Sequence, residues 1–246
     1  MSKLGMLYRP SGLALETAHA VLEAENVHAC NVAWGCTNRC KNCFIRWSKP
    51  GQIRFPKDQP RHMVEKQLDG GLKTDGVFVS FETDPLLACN FTNAVQLVNL
   101  LREKKIPVAM LSKMGAVDIP NIRNGITIKS SDERFRKEFE PNASSIAHRI
   151  KVLRMLKNNG EYAWVSDEPH PCPDIYKQDD RAFWESISFV DFIIFGKWNY
   201  NSLASTDKAR DYYKSTVPRF IDFCKDYGIH CHVKAETMKF IGGKKW

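Results

Sequence analysis

The strongest chemical signal in the chain is three cysteines within eight residues, in Gly35-Cys36-Thr37-Asn38-Arg39-Cys40-Lys41-Asn42-Cys43-Phe44, a C-x3-C-x2-C spacing. Thiolates are soft ligands that suit zinc and iron–sulfur clusters. A loop this short can curl so that its sulfurs face one polynuclear centre, and its Gly and Asn residues tolerate the turns required. Three other readings use the same residues. Offsets of 0, 4 and 7 also lie along one helix face, so the thiols could be core residues, although Thr, Asn, Arg and Lys between them suit a buried helix poorly. Cys40 and Cys43 could be half of a zinc site, for which His230, Cys231 and His232 are the only second cluster in the sequence. They could also be a thiol redox pair, which leaves Cys36 surplus. A [4Fe–4S] cluster ordinarily takes four cysteines; with three, one iron keeps an open position for a substrate or cofactor.

Other residues could carry chemistry beside this loop. Cys89 and Cys172 each follow an expected strand, so either thiol could face a site at the strand ends. Pro169-His170-Pro171-Cys172-Pro173 would hold Cys172 on a stiff loop. Trp198 and Tyr200 could stack on a base, or pack as a loop on the rim. Asp167, Glu168 and His170 could serve acid–base work, but single carboxylates and histidines on loops are mostly solvated. Cys30, Cys224 and Cys231 fall on strand or helix patterns and read as core residues.

The elements that must position these groups follow from apolar periodicity. Strands are expected at His28–Trp34, Gly76–Glu82, Pro107–Ser112, Gly125–Ser130, Tyr162–Ser166, Val190–Phe195 and Ile229–Lys234. Helices are expected near Gln59–Gly70, Thr92–Lys104, Ser144–Asn158, Asp179–Ser188 and Asp207–Tyr227. This alternation argues for a parallel sheet with right-handed crossovers. The expected fold class is α/β, an open sheet or a partial barrel. In both, ligands bind beyond the carboxyl ends of the strands. The cysteine loop, Cys89 and Cys172 all fall on that face.

Composition narrows the setting. The 246 residues suffice for a substantial core, and no run is long and apolar enough to span a membrane. No early stretch reads as a signal peptide, so a cytoplasmic protein is expected, with its eight cysteines reduced rather than paired as disulfides. Lys and Arg outnumber Asp and Glu, 36 to 28, a balance compatible with nucleic acid, an acidic peptide or a phosphorylated cofactor as partner.

With these residues in place, the chain resembles the radical SAM superfamily, through the C-x3-C-x2-C triplet after a first strand, the aromatic Phe44 behind it and the strand–helix alternation. Within that superfamily it looks most like the spore photoproduct lyase-like branch. The segments that carry this likeness are Tyr8-Arg9-Pro10-Ser11-Gly12-Leu13-Ala14-Leu15-Glu16, Glu82-Thr83-Asp84-Pro85, Leu111-Ser112-Lys113, and Phe139-Glu140-Pro141-Asn142-Ala143-Ser144-Ser145 with Arg149. The resemblance implies a partial (βα)6 TIM-type barrel with parallel strands, with room for one extra C-terminal strand. It would occupy 28–235, with 1–27 as an N-terminal extension packing on it and 236–246 as a tail.

The resemblance also implies a [4Fe–4S] cluster on Cys36, Cys40 and Cys43 and S-adenosylmethionine chelating its open iron. An external one-electron reductant of flavodoxin or ferredoxin type would feed it. Position by position, Phe44, Thr83, Asp84, Lys113, Thr127 and Ser130 become cofactor-binding candidates, and Cys89 and Cys172 remain the catalytic ones. The expected activity is reductive cleavage of S-adenosylmethionine to a 5′-deoxyadenosyl radical that abstracts hydrogen from an unidentified substrate, with nucleic acid first, then a peptide or protein, or a small molecule, by a monomer with no membrane contact. A zinc- or cluster-bearing nucleic-acid-binding module without catalysis is the alternative class. Three departures separate the chain from the lyase: Asn42 and Phe44 stand where it has tyrosines, and Phe81 where it has a hydrogen-donating cysteine.

Overall fold

The computed structural model describes residues 4–47 and 52–243, with side chains left aside at 46 and 47. Apolar runs become strands, amphipathic runs become helices, and the two alternate. In chain order the elements are β1 (Leu7–Tyr8), α1 (Gly12–Leu22), β2 (Val27–Cys30), α2 (Pro60–Asp69), β3 (Gly76–Val79), α3 (Phe91–Glu103), β4 (Val108–Ser112) and β5 (Arg123–Thr127). Then follow α4 (Glu133–Phe139), α5 (Ile146–Asn158), β6 (Ala163–His170), α6 (Asp180–Ser186), β7 (Phe192–Lys197), α7 (Asp207–Asp226), β8 (His230–Val233) and α8 (Ala235–Phe240). Among the described residues the sheet has eight strands in chain order, β1 to β8. Strand β1 is antiparallel to β2, and β2–β3–β4 and β6–β7–β8 are parallel. The fold class is the expected α/β alternation.

Two compact units make up the chain: Met1–Arg39 with Cys43–Gly125, and Cys40–Asn42 with Ile126–Trp246. In the first, α3 illustrates the local logic. Ala94, Leu97, Val98 and Leu101 recur at the helical period and all are fully buried. They join Val77, Val79, Val108 and Met110 of β3 and β4 in one apolar core. The expected N-terminal extension contributes β1 to the sheet and α1 to this unit. Its first three residues, and the last three of the expected tail, lie outside the described residues.

In the second unit, register sorts side chains by face. Asp167 pairs with Phe195 and Phe195 with Val233. The Phe195 ring meets Tyr213 and Phe220 of α7 at 6.5 and 5.0 Å, and Lys197 Nζ lies 4.8 Å from the Phe240 ring of α8. This odd-numbered set therefore faces the helices. Because strand side chains alternate, Ser166, Ile194, Gly196 and His232 face the other way.

Five elements differ from the sequence expectation. Strand β6 runs on to His170 through an irregularity between Asp167 and His170, where the sequence predicted a strand ending at Ser166. Helices α1, α4 and α8 were not expected, and neither was the two-residue β1.

Candidate metal and cofactor site

The cysteine loop begins at a position only glycine fills well. Gly35 has φ +98°, and a Cβ there would come within 2.1 Å of the Gln52 carbonyl oxygen. Its amide donates to the Glu82 carbonyl at 3.0 Å, and the neighbouring Trp34 forms a two-way backbone bridge with Arg54, whose guanidinium stacks 4.0 Å from the Trp34 ring. Beside it, Glu82 is half-buried with one carboxylate oxygen buried and without a hydrogen-bond partner; burial pushes its carboxyl up, and Arg54 pulls it back.

Asp84 fastens this loop to two strand ends. Its Oδ2 accepts from Asn38 Nδ2 at 3.2 Å and from the Lys113 amide at 2.8 Å. Its Oδ1 accepts from Ser112 Oγ at 2.7 Å and the Leu86 amide at 3.0 Å. Thr83 does similar work: its hydroxyl donates to the Gly35 carbonyl at 2.5 Å and accepts from Asn90 Nδ2 at 2.9 Å. Asn90 stands at the N-cap of α3 but leaves that cap unmade; its amide group goes to Thr83 and to the Asp84 carbonyl. Thr83 and Asp84 are both buried, with their polar atoms engaged by protein groups. Lys113 is half-buried at the end of β4.

Of the three cysteines, Cys36 and Cys43 belong to the first unit and are half-buried. Burial pushes the Cys36 thiol up; the backbone amides of Asn38 and Asp84 and the Lys113 charge pull it down, and the Asp84 carboxylate adds to the rise. The amides lean towards the thiolate, the form that binds metal, but burial outweighs them and holds the thiol above its ordinary value. Phe44 follows on a short 3-10 turn and is exposed. Cys89 is exposed just before α3, its thiol 3.7 Å from Asn90 Oδ1.

Cys40 lies in the second unit and is 5% exposed. The next residue docks on α4: the Lys41 amide donates to the Phe139 carbonyl at 2.8 Å. Asn42 Oδ1 accepts from Lys129 Nζ at 3.1 Å. Lys129 is itself fully buried, 2.5 Å from Glu140, which also takes Arg149 at 2.6 Å. Thr127 and Ser130 flank Lys129 and are buried; the Thr127 carbonyl accepts from Arg149, and Ser130 Oγ accepts from the Asp132 amide. Sequence reasoning missed Lys129 altogether, and it quoted Glu140 and Arg149 without a role. The available signal was three charges at the edges of apolar segments.

Farther along the second unit, Cys172 is 1% exposed, with its thiol 3.9 Å from the Leu203 carbonyl. Burial pushes this thiol up, opposed by the Asp174 and Ile175 amides. Glu168 lies against Gly196, where a Cβ would come within 2.8 Å of its Cγ, and its carboxylate is 3.7 Å from Lys234 Nζ. Trp198 is buried, edge-on to Phe135 and Phe139, while Tyr200 is 72% exposed.

The expectation of solvated acid–base groups at Asp167 and His170 is corrected: both are fully buried. His170 Nδ1 lies 2.9 Å from Asp167 Oδ2, and Nε2 lies 3.0 Å from the Tyr212 hydroxyl and 3.2 Å from Asp180 Oδ1. They face the helices and brace strand β6 against α6 and α7.

The donor set fits a soft metal centre: free thiols at a C-x3-C-x2-C spacing, one of them with two amide donors. Among the described residues, no group of three or more His, Cys, Asp or Glu side chains surrounds a ready single-ion site.

No family model matches the sequence, and no curated protein matches it. Its fold is similar to solved structures. A mutant spore photoproduct lyase with bound AdoMet and dinucleoside spore photoproduct aligns with a TM-score of 0.60 at 15% identity, over 86% of this chain and 76% of that one. SuiB of Streptococcus suis bound to S-adenosylmethionine aligns with a TM-score of 0.61 at 11% identity, over 92% of this chain and 56% of SuiB, so the chain spans little more than half of that protein. Spore photoproduct lyase complexed with dinucleoside spore photoproduct gives 0.57 at 14% identity, over 86% and 76%. Both proteins are radical SAM enzymes, and the chain shares their fold.

Proposed function

We propose that this chain is a radical SAM enzyme. Cys36, Cys40 and Cys43 would hold a [4Fe–4S] cluster and leave one iron open for S-adenosylmethionine. The observation that carries the reading is the C-x3-C-x2-C loop directly after β2 of a fold shared with two proteins solved with bound S-adenosylmethionine. Such a cluster, fed by a flavodoxin- or ferredoxin-type donor, would supply the one-electron chemistry for reductive cleavage of S-adenosylmethionine and hydrogen abstraction from a substrate.

The chain's own residues organise the surroundings. Asp84 and Thr83 hold the start of the cysteine loop against the ends of β3 and β4, which fixes Cys36. In the first unit Lys113 would offer a cation for a carboxylate; in the second, Thr127 and Ser130 carry hydroxyls of the kind that bind a ribose. Exposed Cys89 and buried Cys172 are the two thiols that could return a hydrogen atom. Nucleic acid is the substrate class we favour, supported by the net charge of +8 and by neighbours solved with a dinucleoside lesion.

Anaerobic reconstitution tests the reading. The protein should take up about four irons per chain and, once reduced, release 5′-deoxyadenosine from S-adenosylmethionine. Cys40→Ala should abolish both. A colourless protein with one bound zinc, or a Cys40→Ala variant that still cleaves S-adenosylmethionine, overturns it. Deuterium carried from a candidate substrate into 5′-deoxyadenosine would then identify the target.

A further inference from the structure

A buried lysine seldom goes without a specific task, because removing an ammonium from water costs several kcal/mol, by order of magnitude. Lys129 has 0% side-chain exposure. Its Nζ lies 5.5 and 5.7 Å from the Phe135 and Trp198 ring centroids, so apolar surface closes over it. Glu140 answers its charge and is itself held by Arg149, which is tied to the Ser144 and Thr127 carbonyls at 2.9 and 3.0 Å. The ammonium is thus fixed in direction. It donates to Asn42, the residue immediately before Cys43 and two after Cys40.

We propose that Lys129 is a positioning residue for the cysteine loop. Through Asn42 it fastens the Cys40–Asn42 segment to the chain just after β5 and holds a fixed positive charge on the residue between Cys40 and Cys43. Asn42 is one of the positions at which the chain departs from the lyase-like pattern, and Lys129 gives that departure a structural partner. The electrostatic part rests on the cluster reading above; the mechanical part does not.

Two measurements test it. In the metal-free protein, iodoacetamide alkylation of each cysteine is followed by peptide mass spectrometry. Cys40, 5% exposed, should react slowly in the wild type and on the order of tenfold faster in Lys129→Met and Asn42→Ala. Asn42→Asp, which preserves an acceptor, should stay near wild type. The double variant should be no faster than Lys129→Met alone, since the bond that Asn42→Ala removes is already broken in Lys129→Met.

In reconstituted protein, Lys129→Met should shift the cluster midpoint to more negative potential, on the order of the ~59 mV that a tenfold change in a one-electron equilibrium represents. Removing a nearby cation disfavours adding an electron. Asn42→Ala should leave the midpoint nearer wild type. Equal Cys40 alkylation in wild type and Asn42→Ala overturns the proposal, including in the case where Lys129→Met fails to fold. An unchanged midpoint in folded, loaded Lys129→Met overturns its electrostatic part. A wild type that takes up no iron, yet has Cys40 exposed by Asn42→Ala, sinks the cluster reading and leaves the fastening standing.

Discussion

Asp84 shows how one side chain can serve a site without touching its ligand. Four donors from the cysteine loop, the turn after β3 and the end of β4 converge on its two oxygens. Asp84→Asn would set an amide nitrogen against at least one of those donors. The expected loss is ~1–3 kcal/mol of stability, read as a lower urea midpoint at an unchanged m-value, with lower iron loading on reconstitution. At this scale the sequence was unevenly legible. The cysteine triplet declared itself because ligand chemistry demands close spacing along the chain. Asp84 was visible through its Thr-Asp-Pro context, but Ser112, Lys113 and Asn38 lie 28 to 46 residues away and had no local trace. Lys129 was illegible for the same reason: its contacts with Asn42 and Glu140 exist only after folding.

Strand β6 and the two helices behind it carry a pH dependence. Burial alone would pull His170 down, but Asp167 and Asp180 on either side push it up to about 9, from an ordinary 6.5. Tyr212 and Trp184 complete the polar surroundings, the one by its hydroxyl and the other through its indole N–H to Asp167. A group whose folded value is raised contributes stability that is fully present below its unfolded pKa and is lost as pH rises through the folded one. The contribution therefore fades between about 6.5 and about 9. Urea midpoints should be higher at about pH 6 than at about pH 10, and His170→Gln should lower the first more than the second. A His170→Gln variant with a loss equal at both pH values would contradict this assignment.

The same elements show where periodicity runs out. Helices α4 and α8, of seven and six residues, are too short to display a helical period, and β1 has two residues. Strand β6 continues through Glu168-Pro169-His170 because β7 offers pairing as far as Lys197, a tertiary fact that outweighs the local signal of proline.

At the scale of the whole molecule, the strand order was the most legible property. Seven apolar runs separated by helix-length segments define a parallel α/β arrangement, and the seven expected strands are all present as β2 to β8. Charge is the other global property. With a net charge of +8 the chain should draw a polyanion, and counterion release then sets a definite signature. Its association constant for a labelled single-stranded oligonucleotide should fall roughly tenfold or more between about 50 and about 200 mM salt. A flat salt response would remove nucleic acid from consideration as substrate.

Gly196 sets a distance. Because it carries no side chain, Glu168 can lie flat across β7 and bring its carboxylate to 3.7 Å from Lys234. A single methyl would act as a wedge under that acid and lift it off the sheet. The depth of the polar floor on this side of β6, β7 and β8 is therefore ruled by one missing carbon atom. A family of side chains of increasing size at position 196 would work as a ruler for how far Glu168 can rise from the sheet before it leaves Lys234.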